Sequence, residues 1–83
     1  MYYVYILECS DTSFYTGIAK DVFKRLKEHN ETSLGAKYTK YKRPLKLVYF
    51  KPMPTRSDAS KEEYRIKKLT RSEKKEIIRN FIF

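Results

Sequence analysis

An aromatic and β-branched run opens the chain, Tyr-Tyr-Val-Tyr-Ile-Leu-Glu over residues 2–8. After Ser10-Asp11-Thr12-Ser13 a second short run follows, Phe-Tyr-Thr-Gly-Ile over residues 14–18. Residues of this kind favour the pleated backbone, and the Ser/Asp/Thr cluster between them is turn chemistry, so the chain begins with a β-hairpin. A lone hairpin cannot bury its own faces, and the rest of the chain has to cover it. That cover comes from only 83 residues, 41% of them hydrophobic. A chain of this length makes one domain, spanning residues 1–83, whose large apolar side chains converge on one core.

The covering elements follow from periodicity. Beginning at Asp21, a suitable N-cap, Val22, Leu26 and His29 recur at spacings of four and three, which predicts a helix to about Asn30. Residues 45–50 alternate and read as a third strand, ended by Pro52 and Pro54 and with Pro44 at its margin. Ser57 and Asp58 suit the start of a second helix. Its inward stripe is Ala59, Glu62 or Glu63, Ile66 and Leu69, with Lys61, Arg65 and Lys68 outside. Thr70 and Glu73 form a capping box for a last helix with Ile77, Ile78, Phe81 and Ile82 on its apolar face. The predicted order is ββαβαα, a layer of helices packed on a small three-stranded sheet, an α+β fold.

Charge narrows the function. The sequence carries 19 Lys and Arg against 10 Asp and Glu, a formal charge of +9. Residues 1–35 are mixed in sign, whereas residues 36–56 hold Lys37, Lys40, Lys42, Arg43, Lys46, Lys51 and Arg56 and no acid. Tyr38, Tyr41 and Tyr49 are interleaved there. That is the composition of a surface that pairs with phosphates and stacks on bases, and it makes Lys37, Tyr38, Lys40, Lys42 and Arg43 candidate nucleic-acid contacts. The plainer alternative is a solvated loop followed by a strand. One Cys, Cys9, and one His, His29, exclude an internal disulfide and a Cys/His zinc site, and leave only an oxygen-liganded metal such as Mg²⁺. No apolar run reaches the ~18–20 residues of a membrane span, and the first residues lack a basic segment and a cleavage site. The expectation is an unprocessed cytoplasmic protein with no membrane partner.

Several chemically able side chains fall near one another. Tyr3 and Tyr5 share a strand face and the hairpin brings Tyr15 close; Arg25 and His29 are one helical turn apart; Glu63 or Glu62 points a carboxylate inward. Each also has an ordinary reading: core aromatics with exposed hydroxyls, an Arg25–Glu28 pair, a Glu63–Lys67 pair, a polar residue near a helix end.

Tyr3-Val4-Tyr5, then Tyr15-Thr16-Gly17, Arg25-x-x-x-His29-Asn30 and Glu63-x-x-Ile66-Lys67 together resemble the GIY-YIG nuclease superfamily, in particular its small stand-alone bacterial members. The likeness runs from Tyr2 to about Ile78, and Gly35-Ala36-Lys37-Tyr38-Thr39 with Arg43-Pro44-Leu45 fits the same subgroup. Two positions depart from the signature: Tyr3 replaces its first Gly and Thr16 its central Ile. The resemblance implies an endonuclease that hydrolyses phosphodiesters with one Mg²⁺ held by Glu63. Arg25 would lie against the scissile phosphate and Tyr5 would help deprotonate water, while Tyr15 and His29 position water or relay a proton. Gly17 would let the backbone bend. It also implies nucleic acid as partner, DNA ahead of RNA, with a protein partner as a possible source of specificity. The alternative is a non-catalytic nucleic-acid-binding module on the same fold. Asn30 and Asn80 receive no role.

Overall fold

The first run forms β1 (Tyr2–Glu8) and the second β2 (Phe14–Ala19), paired antiparallel with Tyr5 opposite Gly17 and Leu7 opposite Tyr15. The computed structural model describes residues 1–31 and 39–81. At the hairpin turn Thr12 takes φ 69°, a left-handed conformation that a β-branched residue adopts at a cost. Its neighbours hold it there: Thr12 N donates to Cys9 O, and Thr12 O accepts from Arg71 Nη2 at 2.8 Å. Lys42 Nζ reaches Asp11 at 3.2 Å from another direction.

The third strand, β3 (Lys46–Met53), pairs antiparallel with the other side of β1, giving the order β2-β1-β3. It begins one residue later than expected and runs past Pro52. Proline is tolerated because β3 is an edge strand, where a missing N–H breaks no ladder. The register slips between Ile6 and Leu7, a bulge that absorbs one residue of β3.

Helix α1 (Val22–Glu31) starts where expected, with Lys24 N donating to Asp21 Oδ1 at 3.0 Å. Helix α2 (Arg56–Lys67) starts earlier than Ser57, because the cap is Thr55, whose hydroxyl accepts from Asp58 N. Helix α3 (Arg71–Arg79) carries the predicted capping box: Thr70 Oγ1 accepts from Glu73 N and Glu73 Oε1 accepts from Thr70 N. The order ββαβαα is the expected one.

The helices do not form one layer. Tyr5 and Leu7 pack with Cys9, Val22, Leu45 and Leu47 on the α1 face. Val4 and Ile6 pack with Ala59 and Ile66, and with Ile77 and Ile78, on the face of α2 and α3. A central strand covered on both faces has no use for polar alternation, which is why the first run reads as continuously apolar. The sheet therefore divides the single core expected from chain length into two. Among the described residues no helix is long and apolar enough to cross a membrane.

Candidate active site

The centre of β1 delivers Tyr5 to the α1 face, 1% exposed, with its ring over the facing strand. A Cβ on Gly17 would lie 2.6 Å from the Tyr5 hydroxyl and 2.8 Å from its ring carbon. Gly17 has no positive φ. Its function is to make room for the phenol, and not to bend the chain as the sequence reading had it.

Around that phenol three residues converge. Tyr15, from β2, has its ring 6.4 Å from that of Tyr5 and 5.1 Å from that of His29. His29, in the last turns of α1, places Nε2 3.0 Å from the Tyr5 hydroxyl and Nδ1 2.9 Å from Thr39 Oγ1. His29 and Thr39 are both fully buried. Arg25, one turn earlier on α1, also hydrogen-bonds the Tyr5 hydroxyl while its Nη1 pairs with Glu28 at 3.0 Å. The Arg25–Glu28 pair thus exists alongside the Tyr5 contact and does not compete with it.

The direction of this network follows from its donors. A guanidinium only donates, so the Tyr5 oxygen accepts from Arg25, and the arrangement that also uses the phenol's own proton sends it to His29 Nε2. That assigns the neutral imidazole its proton on Nδ1, from which it donates to Thr39. Electrostatics agree. Burial, then the charge of Arg25, with Arg43 adding to them and Glu28 opposing, pushes His29 down to about 4. Burial, then Tyr15, pushes Tyr5 up to about 12 against the pull of Arg25. At neutral pH the phenol is protonated and the imidazole uncharged.

The two carboxylates of α2 separate. Glu62 is the inward one: only 9% exposed, it accepts from Arg65 Nε at 2.8 Å and Nη2 at 2.7 Å, and Lys51 lies 3.6 Å away. The Arg65 hydrogen bonds hold its carboxyl below the usual carboxylate range. Glu63 stands on the flank, half-buried, with Lys67 at 3.3 Å, and its charge acts on Tyr5. The helical stripe alone left open which carboxylate is inward; it is Glu62, while the charge of the flanking Glu63 disfavours ionisation of the Tyr5 phenol. The expected Glu63–Lys67 pair is present as well.

The basic segment is less uniform than its composition. Lys37 and Tyr38 lie outside the described residues. Lys40 is exposed, its ammonium 5.5 Å above the ring of Tyr41, which is 87% exposed. Lys42 and Arg43 are half-buried and engaged within the fold: Lys42 pairs with the exposed Asp11 of the hairpin, and Arg43 Nε donates to His29 O at 2.6 Å. Asn30 clamps the start of β3, accepting from Leu45 N at 2.7 Å and donating to Leu45 O at 3.0 Å, and Asn80 caps α3. Sequence reasoning missed Thr39 as the partner of His29 and Arg43 as a brace on the same residue. Their separation in sequence carries no periodic signal, and only the His29-to-Thr39 contact across ten positions reveals them.

A family model described as the GIY-YIG catalytic domain matches residues 1–76. The chain belongs to the GIY-YIG family. It is 51% identical over 77 residues to a UPF0213 protein of Syntrophus aciditrophicus, covering 93% of this chain and 88% of that one. It is 49% identical to UPF0213 protein SSP2268 of Staphylococcus saprophyticus, covering 93% of each. Among solved structures, the solution structure of UPF0213 protein BH0048 from Bacillus halodurans matches with a TM-score of 0.59 at 43% identity, over 94% of this chain and 83% of that one. Protein EF2693 from E. faecalis matches with a TM-score of 0.63 at 43% identity, over 96% and 84%. The GIY-YIG signature therefore describes a nuclease-family domain whose two tyrosine runs are β1 and β2, the strands that carry Tyr5 and Tyr15.

Proposed function

We propose that this GIY-YIG domain is a cytoplasmic endonuclease that hydrolyses nucleic-acid phosphodiesters, DNA in preference to RNA, using one Mg²⁺. Tyr5, Tyr15, Arg25, His29 and Glu63 form its site. The observation that carries this reading is the Tyr5 phenol, seated over Gly17 between a guanidinium and a neutral imidazole. A core tyrosine needs no such company.

The donor set fits the ion. Among the described residues no group of three His, Cys, Asp or Glu side chains assembles. Mg²⁺ keeps most of its waters and takes substrate oxygens, so a single accessible carboxylate such as Glu63 suffices where a closed cage is not needed. When bound, it would supply Lewis-acid stabilisation of charge developing on a phosphoryl oxygen. Arg25, already aimed at the phenol, would lie against the scissile phosphate and stabilise the same charge. A phenol at about 12 is a poor base by itself. With its proton already directed at His29 Nε2, however, Tyr5 can take a proton from water as it hands its own on, and no free phenolate has to persist. His29 resists that proton in the resting protein, first because it is buried and next because Arg25 is charged. A phosphate bound at Arg25 offsets the second of these, so the acceptor strengthens when substrate arrives. Tyr15, edge-on to the imidazole, orients the entering water. Specificity comes from the shape of the substrate or from a protein partner.

The test is cleavage of labelled duplex, single-stranded and branched DNA and RNA, with Mg²⁺ or with EDTA. Mg²⁺-dependent cleavage that falls by roughly 10²-fold or more in Glu63→Ala and Arg25→Ala is the expected result. Binding without cleavage of any substrate would leave only the alternative, a binding module on the nuclease fold.

A further inference from the structure

We propose that a polynucleotide strand runs along the outer edge of β2, with its phosphates held by Lys67 and Lys74 on one side of Gly17 and by Lys20 and Lys24 on the other. This rests on the nuclease reading for what happens at Gly17, but its evidence is separate.

Two clefts lie along β2. One, of ≈ 350 Å³, is lined by Phe14, Tyr15, Thr16, Lys67 and Lys74. The other, of ≈ 280 Å³, is lined by residues 18–21 with Lys24, Arg25 and Glu28. Successive residues of a strand point to opposite faces, so a cleft lined by Phe14, Tyr15 and Thr16, or by Ile18 and Ala19 at the end of β2, takes residues from both faces and opens at the strand's edge. The inner edge of β2 is occupied by β1, and no strand of the described residues takes the outer one. Both clefts therefore open on the same outer edge. The residue between them is Gly17, over which the Tyr5 hydroxyl sits. The proposed nucleophile-activating phenol lies midway along a single line of clefts.

Charge along this line is positive and available. Lys74 is half-buried and Lys24 exposed, and neither ammonium has an ion-pair partner among the described residues. The carboxylates of the second cleft are engaged: Asp21 Oδ1 caps α1, and Glu28 pairs with Arg25. Lys67, paired with Glu63, brings a cation to the side where the metal would be held. Six residues of strand extend on the order of 17 Å. At about 3.4 Å of axis per nucleotide of a duplex strand, that edge faces on the order of five nucleotides. The cations of this track lie outside residues 36–56, the segment that composition had singled out.

The experiment measures binding of a labelled homopolymeric single-stranded DNA oligonucleotide in EDTA over a salt series. Lys24→Gln and Lys74→Gln should each weaken binding and reduce the slope of log K against log salt by about 0.7. Lys46→Gln on β3 and Lys61→Gln on the solvent side of α2 remove the same charge and should leave the slope at the wild-type value. Equal losses at all four positions would mean that only net charge matters and would overturn the track, as would full binding by both track variants. In ¹⁵N-labelled protein the same oligonucleotide should shift the amides of residues 14–19; shifts confined to residues 46–53 would also overturn it. Parallel cleavage assays keep the two readings apart. A wild type that binds along β2 without cleaving defeats the catalytic reading and supports the track, whereas normal cleavage with track variants unaffected defeats the track alone.

Discussion

Replacing Gly17 by alanine isolates the geometry on which the site depends. The added Cβ would meet the Tyr5 hydroxyl at 2.6 Å, and ordinary contact starts at 3.4 Å, so the phenol or the strand has to move by 3.4 − 2.6 = 0.8 Å. Elsewhere the far end of a side chain would simply swing away. Tyr5 is only 1% exposed and its hydroxyl is tied to His29 at 3.0 Å and to Arg25, so retreat costs either that hydrogen bond or packing. Overpacking costs about 1–3 kcal/mol and a lost hydrogen bond about 0.5–1.5 kcal/mol. Against these, exchanging glycine for alanine in a strand returns about 0.5–1 kcal/mol. The clash wins, and Gly17→Ala should lose about 1–3 kcal/mol. Urea denaturation reads this directly as a lower midpoint at unchanged slope. Any cleavage activity should fall further, by about 10²-fold, because a displacement approaching 1 Å at the reacting groups carries that penalty. A Gly17→Ala protein as stable as wild type, with the His29–Tyr5 hydrogen bond still visible by NMR, would refute the close approach and the reason given for the glycine.

His29 makes stability depend on pH. Its pKa is depressed to about 4 in the fold against about 6.5 when unfolded. The unfolded chain therefore binds the proton first, and stability is full above pH 6.5 and lost as pH falls toward 4. Between pH 7 and pH 5 the loss should be about 2 kcal/mol, and denaturation of His29→Gln at the two pH values should show that dependence largely removed. On α2 the adjacent carboxylates should part ways: Glu63→Ala should abolish metal-dependent cleavage with little change in midpoint, whereas Glu62→Ala, which leaves Arg65 and Lys51 without their carboxylate, should mainly lower the midpoint. Equal, mild effects at both would place the metal carboxylate elsewhere.

The parts of the fold that were legible are those with a short-range signal. The capping box at Thr70 and Glu73, the Asp21 cap and the tyrosine-rich hairpin all depend on neighbours within a few residues. The end of β3 was misplaced because a proline rule that holds for inner strands does not bind an edge strand, and the edge is a property of the whole sheet. The two faces of β1 were missed for a related reason: a run buried on both sides has no alternation to say which residues meet which helix. At the site, spacing brought Arg25 to His29 and Tyr5 to Tyr15. It could not say which of Glu62 and Glu63 turns inward, because both positions border the stripe of Ala59 and Ile66; the structure buries Glu62 and leaves Glu63 on the flank. Thr39 and Arg43 were invisible because the loop that carries them meets α1 only in three dimensions. The composition of the segment also could not show that Lys42 and Arg43 have partners within the fold, the exposed Asp11 and the His29 carbonyl.

The two departures from the family signature, Tyr3 and Thr16, fall where the fold can accept them. Thr16 pairs with Ile6 and faces α2 and α3 with Phe14 and Ile18, on the side of the sheet away from Tyr5. Its change from isoleucine alters the second core and not the phenol cluster. Tyr3 does share a face with Tyr5, but its cross-strand neighbour on β2 is Ala19, too small to crowd it, and on β3 it stands opposite Pro52. Its ring turns toward β3 and meets Phe50 edge-on at 6.0 Å. Phe50 in turn meets Phe23 and Phe81, so the tyrosine joins an aromatic chain that covers one end of the α1 face. Tyr3→Gly, which restores the signature, should then destabilise the protein by about 1–3 kcal/mol, less than the loss of a fully buried aromatic because Tyr3 is half-buried, and leave the His29 titration where it was. If the glycine variant is as stable as wild type, the aromatic chain does not support the sheet. If instead the His29 titration moves with it, Tyr3 belongs to the site and not to its scaffold.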